Sequence, residues 1–392
     1  MSKTTSVLSS LGSWLQVITS NVGTLVILIL LGHFLIGGVW ELKQTMTGIR
    51  RYDPRLQLSP YNAMSEADKW TFATEFTEAR KHMHFVPYSL WRLDPFKGRF
   101  VNINPDGTRK TVKSPAPNAQ KVFLLGGSTM WGEGATDEGT IASHLQALLG
   151  NQYDVTNFGE VAYNSAQELN VLLERLAKGD IPKVVVFYDG VNDGFASVYS
   201  PAVPRAIHSN FQSAFHPGQI SMAQHVIDLV KQSGWGRLQD IWQQVAQKLH
   251  LPDRNKNTWD ARIAPKVDAN IAETLHDYDA VITQVQALSK VYGFKAYFFW
   301  QPNVFSDHRK PIGFEHEAYK VASPTWQNAM AKLYGAARQH FSHRESERVY
   351  FLGDIFDGNR EPIFMDWCHI PSAANRQVAQ AMAAKISPPK AP

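Results

Sequence analysis

The spacing of apolar positions divides the chain into three unlike stretches. Residues 22–40 read VGTLVILILLGHFLIGGVW, 19 positions without a formal charge, close to the roughly 20 needed to cross a hydrocarbon core about 30 Å thick. This predicts one uncleaved transmembrane helix, because a cleaved leader would pair a basic start with a shorter apolar run and a small-residue cleavage site. His33, in mid-span, is expected as a neutral residue facing a partner helix or hydrated pocket. Residues 41–118 mix Pro, Gly, aromatics and charge without a sustained period, apart from a helix expected from Ser65 to His82, capped by Ser65 or Glu66. This stretch reads as a basic stem packed on the main domain, and it ends in the linker Lys110 to Asn118 (KTVKSPAPN).

From residue 119 onward, short apolar runs alternate with amphipathic ones. Strands are expected at Lys121 to Leu125, Tyr153 to Phe158, Lys183 to Tyr188, Phe294 to Trp300 and Arg348 to Leu352. Helices are expected from about Thr140 to Leu149, Ser165 to Lys178, Ala272 to Tyr292, Thr325 to His340 and Ser372 to Ile386. The run KVVVFY is continuous rather than alternating, as in a strand covered on both faces. Five strands alternating with helices predict an α/β domain, a parallel sheet with helices on both faces. Residues 197–270 break the rhythm with Pro201, Pro204 and Pro217 and then amphipathic helix at Ala223 to Val230 and Leu238 to Leu249, so they read as an insertion. The expected division is a tail at 1–21, the span at 22–40, the stem at 41–118 and the main domain at 119–392.

Composition then removes whole classes. At 44% hydrophobic and 11% aromatic the chain has ample material for a packed core, which excludes a disordered scaffold. Its one cysteine, Cys368, excludes an intrachain disulfide framework and any cluster of thiolates around zinc or iron–sulfur. Thirty-nine Lys and Arg against 35 Asp and Glu leave a net +4, far from the field of a nucleic-acid binder. The excess is local, with 13 basic and 8 acidic residues between Glu41 and Asn118. Lys43, Arg50, Arg51 and Arg55 follow the span while only Lys3 and the α-amine precede it, so positive-inside counting puts the main domain in the cytoplasm.

In an open parallel sheet, ligands bind beyond the carboxyl ends of the strands, so the loops there carry the candidate chemistry. The first strand is followed by Gly126-Gly127-Ser128-Thr129, the second by Asn157-Phe158-Gly159, the third by Gly190-Val191-Asn192-Asp193, and the fifth by Phe364-Met365-Asp366-Trp367-Cys368-His369. A serine hydroxyl becomes a nucleophile when a base takes its proton, and that base needs a carboxylate to fix its tautomer. Ser128, His369 and Asp366 supply the three parts. The Ser128 N–H, the Gly159 N–H and the Asn192 amide are candidate donors to the developing oxyanion. An α/β-hydrolase elbow, G-x-S-x-G, does not fit, because Met130 holds the final glycine position.

These blocks resemble the SGNH (GDSL-type) hydrolase superfamily, with Ser128, Gly159, Asn192 and His369 in the positions that give the family its name. The likeness covers roughly 120–388 and includes G-x-N-D at Gly190 to Asp193 and D-x-x-H at Asp366 to His369. One departure is Gly127, where many members carry Asp before the nucleophile. The stem from Pro87 to Thr111, with Trp91-Arg92 and NINPDGTR, also looks like the N-terminal region of membrane-anchored members. The resemblance implies a flavodoxin-like three-layer α/β/α fold around a five-stranded parallel sheet, and a serine esterase acting through an acyl-serine. Its expected partners are a membrane, through residues 22–40, and an acetylated or short-chain acylated glycan or lipid. An O-acyltransferase acting on a polysaccharide with the same triad, and a non-catalytic carbohydrate-binding or assembly protein, are the alternatives. Anchored hydrolases of envelope polymers tilt the expected side to the periplasmic face of a bacterial inner membrane, against the charge count.

No metal or other cofactor is expected, since Asp366 and His369 show no obvious third ligand in the sequence. Cys368 reads as a small buried side chain and His82 and His84 as part of a solvated face. Gln301, after the fourth strand, and Trp91 and Arg92 of the stem are candidates for substrate contact.

Overall fold

The computed structural model describes residues 21, 23–24, 27–28, 31–39, 53–199, 264–306 and 310–387. The tail before residue 21, the start of the stem at 41–52 and most of the insertion (200–263), with both of its expected helices, lie outside them. Two compact units are present: Met1–Arg51 with His216–Arg254, and Tyr52–Phe215 with Asn255–Pro392. In the first, residues 31–39 are helical, and Leu31, Phe34, Leu35 and Val39 are each at least half exposed. Among the described residues no helix is long and apolar enough to cross a membrane. Residues 22, 25–26, 29–30 and 40 of the expected span fall outside that set.

In the second unit, two antiparallel pairs lead the chain: β1 (Met83–Val86) with β2 (Leu90–Leu93), and β3 (Phe96–Lys97) with β4 (Asn102–Ile103). The main sheet has β5 (Gln120–Gly126), β6 (Tyr153–Asn157), β7 (Val184–Asp189), β8 (Lys295–Trp300) and β9 (Val349–Phe351) in the order β6-β5-β7-β8-β9, parallel throughout. All six residues of β7 are buried, which accounts for its unbroken apolar run. Counted within this sheet the order is 2-1-3-4-5, so successive connections leave in opposite directions between β5 and β7. That switch point opens a crevice at the strands' carboxyl ends.

Caps set the flanking helices much as the sequence indicates. Ser65 accepts from Asp68 N–H and starts the helix Glu66–Ala79, three residues shorter than the expected limit at His82. Asn164 and Gln167 form a reciprocal capping box at the head of Ser165–Ala177. The helix expected from Ala272 begins earlier, as Val267–Tyr292. Residues 267–270 therefore belong to the main domain, not to the insertion.

The stem is more ordered than its irregular pattern implies. Its Leu56, Tyr61, Phe72, Phe76, Leu93, Val101 and Ile103 form a second core that closes on Trp131 and Met365. Arg109 adds an antiparallel bridge to Asn157 at the end of edge strand β6. These contacts escape a period-based reading because each stem strand is only two to four residues long. Trp131 lies three residues after Ser128 and Met365 directly precedes Asp366, so the stem core braces both sides of the crevice.

Candidate active site

Ser128 opens a four-residue helix, Ser128–Trp131, at the end of β5. It is partly exposed between buried neighbours Gly127 and Thr129. Its Oγ lies 2.7 Å from His369 Nε2, and His369 Nδ1 lies 2.7 Å from Asp366 Oδ2. An ionised carboxylate can only accept, so Nδ1 carries the ring proton and Nε2 is left to accept from the Ser128 hydroxyl. The other carboxylate oxygen, Oδ1, accepts the N–H groups of Cys368 (3.0 Å) and His369 (2.8 Å). This local turn explains the three-residue spacing: the acid organises the backbone that carries the base.

Burial alone would raise the Asp366 carboxyl, yet the His369 ring, its hydrogen bonds and Arg55 together hold it well below the usual carboxylate range. For His369 burial acts downward and is overcome by Asp366, Cys368 and Glu133, so the imidazole's affinity for a proton is raised well above its ordinary value. Such a base accepts the serine proton readily, provided that it is unprotonated at rest.

Asn192 lies in the helix Val191–Tyr199, which leaves β7, and its Nδ2 donates to Tyr163 O at 2.6 Å. One amide proton is thereby fixed and the other left for a ligand. Gly159 does not offer the free N–H that the sequence suggested. It donates to Asn157 Oδ1 at 2.9 Å. Its glycine identity serves close packing instead, since a Cβ there would stand 2.5 Å from Trp131 N. Three residues on, Ala162 has a φ of +64°, a conformation that costs a non-glycine residue about 1–2 kcal/mol. Its N–H has no acceptor among the described residues.

The three substrate-contact candidates are turned inward. Trp91 is buried and donates from Nε1 to Val161 O at 3.1 Å. Arg92 is paired with Glu174 at 2.7 Å. Gln301 is buried and accepts from the Thr129 hydroxyl. Each is held by internal partners, so none faces the crevice as a free group. Other site neighbours carried no signal in the sequence. Arg55 donates to Asp366 Oδ2 at 2.8 Å and to Glu133 Oε1 at 2.9 Å, and Arg80 reaches both Glu133 oxygens.

Cys368 is buried, and burial pushes its thiol up. Its sulfur, with Asp366 oxygen and His369 nitrogen, forms a group of ligand atoms within 4.8 Å of one another, supplying the third donor not apparent in the sequence. Cys368 Sγ and Asp366 Oδ2 both face His369 Nδ1, at 3.7 and 2.7 Å, so a metal held by all three would replace the Nδ1–H bond to Asp366 that fixes the ring's tautomer.

No family model matches the chain, and no curated protein does. Solved structures do. The acetyl xylan esterase AlAXEase is 14% identical with a TM-score of 0.38, over 68% of this chain and 99% of that one. A putative arylesterase from Agrobacterium tumefaciens str. C58 is 13% identical with a TM-score of 0.33, over 68% and 98%. A member of the lipolytic protein G-D-S-L family from Veillonella parvula DSM 2008 is 9% identical with a TM-score of 0.34, over 69% and 98%.

Proposed function

We propose that the chain is a serine ester hydrolase of the SGNH type. The observation that carries this reading is the continuous Ser128–His369–Asp366 contact, 2.7 Å at each link, placed at the carboxyl ends of the sheet. Ser128 Oγ attacks the ester carbonyl carbon while His369 Nε2 takes its proton. The negative oxygen is met by the Ser128 N–H and the free Asn192 amide proton. Collapse of this intermediate breaks the ester C–O bond, and the imidazolium returns its proton to the departing alcohol. Water, deprotonated by His369, then attacks the acyl-serine and releases the acid.

Within this reading the substrate is an acetyl or short-chain ester of a glycan or lipid. Phe195, Trp326 and Trp367 form an aromatic group with ring centroids 5.5–6.1 Å apart, contributed by the Asn192 helix, a flanking helix and the His369 loop. These rings pack on the main core beside the Asn192 helix and the His369 loop. Residues 22–40 anchor the chain to a bacterial inner membrane with the hydrolase domain in the periplasm, a reading supported by the outward apolar residues of the 31–39 helix. A topology reporter fused at Pro392 tests the side.

The test of the reaction is Ser128→Ala assayed with p-nitrophenyl acetate. Loss of turnover on the order of 10⁶-fold is expected where the three groups act as a unit. A folded variant with near-normal turnover would refute the mechanism.

A further inference from the structure

Behind the Asp366–His369 pair lies a charge cluster that none of the loop motifs announces. Arg55, in the short turn Pro54–Gln57, spreads one guanidinium over three carboxylates: Asp53 at 2.7 Å, Glu133 at 2.9 Å and Asp366 at 2.8 Å. It meets Asp366 on Oδ2, the same oxygen that faces His369 Nδ1. Glu133 is buried and also paired with Arg80 at 2.7 Å. Burial would raise its carboxyl, but His369, Arg80 and Arg55 hold it below the ordinary range.

The groups that face or flank the imidazole are Ser128, Asp366 and Cys368, then Glu133 from the turn after the nucleophile helix, and Arg55 from the stem. Tyr61, whose hydroxyl donates to Gly134 O at 2.6 Å, is kept neutral by burial. Three carboxylates and two guanidiniums therefore make up the linked cluster behind the base, a net charge of −1. A proton on His369 makes the cluster neutral. Without Arg55 the surroundings would carry −2, and the imidazole would hold a proton more tightly still. Without Glu133 they would carry no net charge, and the imidazolium would be poorly compensated.

We propose that Arg55 and Glu133 are paired positioning residues of opposite effect: Arg55 weakens the hold of His369 on a proton, and Glu133 steadies the imidazolium formed when Ser128 reacts. The inference rests on the triad reading above. It also makes a segment before the sheet part of the working apparatus, since Arg55 and Asp366 are 311 positions apart.

The experiment compares full-length Arg55→Gln, Glu133→Gln, the double variant and Arg55→Lys. The pH dependence of kcat/KM for a small ester is measured alongside the titration of the His369 ring by carbon-13 histidine NMR, assigned by its absence in His369→Gln. Removing a positive neighbour raises an imidazole pKa and removing a negative one lowers it, each by on the order of one pH unit at such distances. Arg55→Gln should thus move the acid limb and the ring titration to higher pH, and Glu133→Gln should move both to lower pH. The double variant should return near the wild-type position. Arg55→Lys should keep the limb while lowering kcat, because an ammonium cannot span three carboxylates as the planar fork does. Shifts in the same direction, or a loss of rate with both titrations unmoved, would overturn the proposal. Should Arg55→Gln not fold, Arg55→Lys and the near-isosteric Glu133→Gln still decide it. The ring titration needs no turnover, so opposite shifts would survive even if Ser128→Ala hydrolysed ester and the triad reading fell.

Discussion

Gly127 is where this chain departs from the usual nucleophile block, and the substitution Gly127→Ala tests why. Its φ of −78° is open to any residue, so backbone strain plays no part. Space does: a Cβ at 127 would stand 2.2 Å from Asn192 Nδ2, 3.4 Å from Asn192 Cγ and 3.2 Å from Tyr163 O. Ordinary contact needs about 3.5 Å, so the amide must move by about 1 Å. That breaks its 2.6 Å bond to Tyr163 O and withdraws it from the oxyanion. Loss of one preorganised donor lowers kcat by about 10²–10³-fold, whereas the lost hydrogen bond is worth only about 1 kcal/mol of stability. The assay is kcat for p-nitrophenyl acetate with thermal unfolding in parallel, for Gly127→Ala, Asn192→Ala and the double variant. Because the new methyl acts through Asn192, the double variant should lose little more than Asn192→Ala alone. Fully additive losses, or wild-type turnover in Gly127→Ala, would refute the reasoning.

Asp366→Asn should fold and lose about 10⁴ in kcat, since an amide favours the wrong His369 tautomer; retention of the wild-type pH profile and rate would contradict the Asp366 role. Chelators should leave ester turnover unchanged, and strong inhibition reversed by added metal would instead assign Asp366, Cys368 and His369 to an ion. Burial pushes the Glu160 carboxyl up to about 7 from 4.5. Its raised value means the folded chain holds that proton more tightly, so the stability it lends is full below the unfolded value and is lost as pH rises through about 7, at most about 3 kcal/mol. Denaturant unfolding from pH 4.5 to 8 should show this decline, smaller in Glu160→Gln but not abolished, because buried Glu168 and Asp189 and half-buried Asp193 are raised as well. An identical slope in the variant would exclude Glu160.

What the sequence disclosed follows from how local each signal is. Strand and helix boundaries were legible to within a few residues because signals such as KVVVFY and the Ser65 cap act over one or two turns. Ser128 and the Asp366–His369 spacing were legible for the same reason, as short patterns at strand ends. Gly159 was misread because its N–H is satisfied by Asn157 two positions away, a side-chain bond that no periodicity encodes. Trp91 and Arg92 looked available in an irregular stretch, yet they join the stem to the Val161 turn and the helix at Glu174. Arg55 was read only as a charge flanking the apolar span. Its place beside Asp366 depends on the stem core built from Leu56, Tyr61, Phe72 and Met365, a long-range packing event without a local signature.

The most direct measurement of the central claim is covalent labelling of the full-length protein with an alkyl fluorophosphonate, read by peptide mass spectrometry and by residual ester hydrolysis. A phosphonyl group on the Ser128 oxygen, rising in step with the loss of turnover and absent in both Ser128→Ala and His369→Gln, is the predicted result. Label on another residue, or full hydrolysis by protein labelled at Ser128, would contradict the account.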